Sequence, residues 1–88
     1  MMMNSLSEAV RQNREIKGQV RRQARDIIMR LGPGQRASVT LPDREPLRRD
    51  CYIAVNAVAH EVLGTGRYQL SVRGRSVEVT ASHGRSIL

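Results

Sequence analysis

Residues 67–80 read RYQLSVRGRSVEVT, from Arg67 to Thr80. Apolar and polar side chains alternate on both sides of Arg73-Gly74, the pattern of two half-buried strands joined by a tight turn. A two-residue loop at Arg73-Gly74 sets Leu70 opposite Val77 and Tyr68 opposite Val79, so all four share one face. Turn and hydrophobic pattern therefore agree on which side is the inner one. Gly64-Thr65-Gly66 separates this hairpin from a stretch in which Leu47, Cys51, Ala54, Val55, Val58 and Val62 recur at helical spacing. Pro42–Pro46 is a turn into that helix, with Asp43 or Glu45 near its start, where negative charge suits the helix dipole. Gln35–Leu41 also alternates, with Ala37, Val39 and Leu41 on one side and Arg36, Ser38 and Thr40 on the other, as in a half-buried strand.

The chain opens with a long helical pattern. Ser5 and Glu8 have capping-box spacing, with Ser5 as the N-cap. The pattern runs to about Leu31, where Gly32-Pro33-Gly34 ends it, with a glycine in the left-handed cap and a proline that cannot continue the helix. The order α-β-α-β-β predicts an α+β fold: a long N-terminal helix over 5–31, then a β-α-β-β unit over 35–80. The simplest assembly is a small three-stranded sheet with both helices packed on one face. A strand-helix-strand step favours a right-handed crossover; the expected arrangement has the first and second strands parallel, with the third between them. The 88 residues make one domain, with 1–4 and 82–88 expected to be flexible.

Such a short chain buries only roughly 60–65% of the surface its unfolded form exposes. There is no Trp and no Phe, so the core must come from Val, Ile, Leu, Ala and Met with Tyr52 and Tyr68. Extra burial in an oligomer would be favourable. Cys51 is alone, which excludes an intramolecular disulfide and a Cys-based zinc site and fits a reducing compartment. No apolar run approaches the roughly 20 residues of a membrane span, and the start lacks the basic and apolar regions of a signal peptide. A cytoplasmic protein without membrane contact is expected.

Charge is the strongest functional signal. The net charge is +7, and all the basic residues but Lys17 are arginine. A GC-rich genome could favour arginine codons, but it does not account for the excess of base over acid. That excess attracts polyanions. At about 100° per residue, the first helix has three faces. Leu6, Ala9, Val10, Asn13, Ile16, Val20, Ala24, Ile27, Ile28 and Leu31 form an apolar stripe. Arg11, Arg14, Arg21, Arg22 and Arg25 adjoin it around Gly18. Glu8, Glu15 and Asp26 gather on a third side.

Local pairing can account for Arg11, Arg22 and Arg30, through Glu8, Glu15 and Asp26. It leaves Arg14, Lys17, Arg21 and Arg25 in a row at spacings of three and four with no acid among them. Like charges at that spacing repel, so the row makes sense with an anion lying along it. Gly18 costs about 1 kcal/mol relative to Ala in a helix interior and would let a phosphate backbone come close. A helix of about 26 residues is also near 40 Å long, more than a compact body of this size can cover. Leu6, Asn13, Ile16 and Val20 fit a heptad seam with a polar residue at an a position, which suggests a homodimer.

Further positions could support binding. Arg49, Ile53, Asn56 and His60 share the outer side of the second helix, where Arg and Asn could read guanine and adenine. Arg48 and Arg49 near its N-terminus could hold phosphates. Arg73 and Arg75 add charge at the hairpin tip. The outer sheet face would carry Arg36, Ser38, Thr40, Arg67, Gln69, Ser71, Ser76, Glu78 and Thr80. His60 and His83 have no acid or thiol at ligand spacing, no Walker loop or dinucleotide fingerprint is present, and Cys51 sits on an apolar stripe. The expectation is a non-enzyme without cofactor, metal or small-molecule substrate. It would be a small dimeric regulator or accessory factor that binds DNA or RNA. The alternative is a small inhibitor or adaptor whose long helix meets an acidic protein.

Overall fold

A computed structural model describes the backbone of residues 2–82 and the side chains of residues 8–82. The elements are α1 (Met2–Ile28), β1 (Arg36–Thr40), α2 (Leu47–Leu63), β2 (Tyr68–Arg73) and β3 (Ser76–Ala81). The expected α+β order is present. Helix α1 begins at Met2, so Ser5 lies within it rather than capping it, and residues 2–4 are helical. The loose tail expected over 82–88 lies outside the described residues except for Ser82, whose N–H donates to the Arg67 carbonyl at 2.9 Å.

The last turn of α1 tightens, with the Arg30 and Leu31 N–H groups donating to the carbonyls three residues back at 3.1 and 3.0 Å. A reverse turn then spans Gly32–Gln35, closed by the Gln35 N–H on the Gly32 carbonyl at 3.0 Å. Pro33 holds its second position, and Gly34, at φ 79°, holds the third, as a type II turn requires. The left-handed glycine is thus Gly34. Gly32 has no positive φ; its N–H donates to Gln35 Oε1 at 2.7 Å.

The sheet order is β1-β3-β2, with both outer strands antiparallel to β3. Strands β1 and β2 are therefore parallel with β3 between them, as expected. The hairpin register differs from the expected one by two residues. Leu70 faces Val79, Tyr68 faces Ala81 and Arg73 faces Ser76, so the loop is Gly74-Arg75. Gly74 takes φ 58°, and no non-glycine residue has positive φ. A hairpin loop with positive φ only at its first position suits glycine there and spares Arg75 the strain. A two-residue slip conserves side-chain parity, so the inner face survives the change.

Both helices cover that inner face. Val20, Ala24 and Ile28 from α1 meet Val39 and Leu41, Leu47, Cys51, Val55, Val58 and Ala59 of the α2 region, and Val77 and Val79 of β3. The core has no aromatic centre; Tyr52 and Tyr68 pack at its margin. On the outer face, Glu78 of the central strand lies 3.9 Å from Arg36 and 3.8 Å from Arg73, and so links both edges.

Helix α2 has no side-chain cap at Pro46. The carboxylate of Glu45 instead accepts the Arg49 N–H at 3.0 Å, while Asp43 pairs with Arg75 at 3.1 Å. Of the two acids expected near this terminus, Glu45 therefore does the capping. Glu45→Ala should cost about 1 kcal/mol and lower Tm by roughly 4–8 °C in a thermal melt. An unchanged Tm would show that the contact contributes nothing. At the other end, Gly64 takes φ 98° and its N–H donates to the His60 carbonyl, which stops the helix.

A candidate anion-binding groove between the helices

Helix α1 outreaches the body beneath it. The molecule extends 60 × 23 × 17 Å. Residues 8–12 are exposed, and Val20 is the first residue of α1 to enter the core. Arg44 donates to Asn13 Oδ1 at 3.2 Å and ties the helix to the β1–α2 connection. From Asn13 onward α1 lies beside α2, and an open groove of about 480 Å³ runs between them. Arg14, Lys17, Gly18 and Arg21 form its α1 wall, and Asp50, Ile53, Ala54 and Ala57 form its α2 wall.

Three of the four cations expected as a row thus come together. Helical geometry spreads Arg14 to Arg21 over about 10 Å. Among the described residues, no carboxylate makes an ion pair with Arg14, Lys17 or Arg21. Asp50 lines the groove, but it sits in the first turn of α2, where the helix dipole favours a negative charge. Arg25 has a different role. Its guanidinium meets Glu61 of α2 at 2.9 Å, joining the two helices. Such a part-exposed pair contributes under about 1 kcal/mol, but it takes Arg25 out of the unbalanced set. Elsewhere on α1, Arg11 pairs with Glu8 at 3.8 Å and Arg30 with Asp26 at 3.3 Å. The expected Arg11–Glu15 and Arg22–Asp26 pairs are not formed.

The remaining candidates separate. Arg48 donates to the Gly74 carbonyl and fastens α2 to the hairpin tip. Arg75 and Arg73 meet Asp43 and Glu78. These three cations are engaged within the chain, away from the groove. Arg49 is exposed beside a smaller hollow with Leu41, Glu45, Arg48, Tyr52 and Val72. Asn56 accepts the Tyr68 hydroxyl at 2.8 Å, which occupies the oxygen expected to face a base. The Thr65 hydroxyl lies 3.1 Å from His60 Nδ1. His83 is outside the described residues.

The proposed dimer seam is taken up differently. Val20 is buried in the chain's own core and Ile16 packs against that core. Asn13 is bonded to Arg44, and the Leu6 side chain is outside the described residues.

Gly18 is open. A Cβ there would meet only a guanidinium nitrogen of Arg22, at 3.5 Å, an ordinary contact. Packing does not require a glycine, so Gly18→Ala should stabilise the helix by about 0.5–1 kcal/mol and raise Tm by a few degrees. A fall in Tm would reveal a contact that the free chain depends on.

Cys51 of α2 is buried. Burial, and then the Asp50 carboxylate, push its thiol up from the ordinary value, and Lys17 opposes them. A thiol so placed stays protonated at neutral pH. Among the described residues, no three of His, Cys, Asp and Glu gather as a metal site, and no helix is long and apolar enough to cross a membrane. No protein-family model matches the chain, and comparisons with curated proteins and with solved structures find no significant similarity.

Proposed function

We propose that this protein binds nucleic acid through the α1–α2 groove, as a regulator or accessory factor in a reducing compartment such as the cytoplasm. The observation that carries the reading is the convergence of Arg14, Lys17 and Arg21 on one open groove with no described ion-pair partner. Three like charges within about 10 Å repel one another, and a run of phosphates is the commonest biological counter-charge of that pitch. Arginine adds planar, forked donors that fit phosphate oxygens. Gly18 leaves the wall bare between the cations, so a backbone can come close. The protein acts by binding; its one thiol, Cys51, is buried.

The test is a salt titration of binding with wild type and with Arg14→Gln, Lys17→Gln and Arg21→Gln. Each lost phosphate contact flattens the plot of log K against log salt by about 0.9 on duplex or about 0.7 on a single strand. Slopes that do not move with any of the three would end the assignment. A second reading, an acidic protein docked in the same groove, is favoured by Ile53, which is 54% exposed beside the cations. In that case an acidic polypeptide would bind more tightly than nucleic acid, and Ile53 would govern that binding.

A further inference from the structure

The two walls of the groove differ in kind. All its cations stand on α1, while α2 presents Ile53, Ala54 and Ala57 with Asp50. Ile53 and Ala57 are exposed, and Ile53 is among the most exposed large apolar residues of the described chain. A ligand that fills this space must carry negative charge along one side and apolar surface along the other, roughly 10 Å along the helix. The Asp50 carboxylate repels phosphate, which holds the charged side of the ligand to the α1 wall.

A duplex does not meet that description. Its bases are stacked and paired, and its outer surface is a polar backbone. An unpaired strand does, because its phosphates follow one edge and its base faces are free on the other. A groove of about 480 Å³ is of the size that encloses a compact small molecule. It can hold a short piece of one strand but not the width of two. Resting on the nucleic-acid reading above, we infer that the groove selects unpaired nucleic acid. Phosphates would lie on Arg14, Lys17 and Arg21, and the sugar and base faces against Ile53 and Ala57. Asp50 offers an acceptor to base-edge N–H groups such as a cytosine amine.

The experiment measures anisotropy with a labelled 12-nucleotide strand lacking self-complementarity, the same strand annealed to its complement, and a poly-glutamate peptide. The protein is the full chain, as wild type, Ile53→Ser, Ile53→Tyr and Arg14→Gln/Arg21→Gln. The expected result is tighter binding of the single strand, with a salt slope near −2 from three contacts at about 0.7 each. Ile53→Ser should weaken single-strand binding about fivefold, the low end of what a base contact contributes. Ile53→Tyr should strengthen it, and neither should change duplex binding. A gain on Ile53→Tyr cannot come from misfolding.

Duplex binding as tight as single-strand binding, indifferent to Ile53 but flattened by Arg14→Gln/Arg21→Gln, would overturn the single-strand inference and leave the phosphate reading standing. Binding of neither oligonucleotide, or tighter binding of poly-glutamate, would overturn both.

Discussion

Ile28→Ala is expected to cost about 2–5 kcal/mol, the range for deleting a buried branched side chain and leaving a cavity. Ile28 has no exposed surface and sits at the end of α1, in the cluster that joins both helices to the sheet. No Phe or Trp is available nearby to settle into the space, because the chain contains none. A domain of this length has a total stability of roughly 4–13 kcal/mol, so this one change removes between about a sixth and all of it. A thermal melt should show Tm lower by roughly 10–30 °C. The exposed Ile53 gives the internal comparison, since substitution there should stay within about 0.5 kcal/mol. A loss under 1 kcal/mol for Ile28→Ala would mean that the α1–sheet junction is not packed as described.

The second large effect is on binding. In the triple variant Arg14→Gln/Lys17→Gln/Arg21→Gln, three phosphate contacts disappear together. Their contribution to the slope is about −2.7 on duplex and −2.1 on a single strand. The lost affinity therefore depends on salt: small near 1 M, and on the order of 10³-fold at 50 mM. Stability should change little or rise, because the three side chains repel one another and no described carboxylate makes an ion pair with them. Binding that falls by the same factor at every salt concentration would show that the variant damages the fold rather than the electrostatics.

Local periodicity carried most of the architecture. Alternation in Gln35–Leu41 and Arg67–Thr80 marked the strands and their inner faces, whereas the place of β3 between β1 and β2 was an expectation that no local pattern fixed. What the local pattern misplaced were the hairpin loop and the start of α1. The hairpin slipped by two residues because Gly74 tolerates the positive φ at the first loop position, a preference stronger than the Arg73-Gly74 spacing suggested. Ser5 resembled a cap, but α1 continues past it.

The same division runs through the site. Arg14, Lys17 and Arg21 were legible because no acid stands three or four positions away among them. Arg25 looked identical along the helix. Its partner, Glu61, is 36 residues away and becomes a neighbour only when α2 packs on α1. The α2 wall was missed for a related reason. Asp50, Ala54 and Ala57 carry no pattern that points to a ligand, and only the packing of the helices sets them across from the cations. The nearest available signal was the exposed Ile53, read as part of a different face.

The placement of β3 has a consequence for how the molecule comes into being. Strands β1 and β2 make no ladder with each other; each bonds only to β3, whose residues 76–81 come last among the described elements. During synthesis neither earlier strand has a partner until that segment leaves the ribosome. Until then the apolar faces of both helices lack the central strand that covers them.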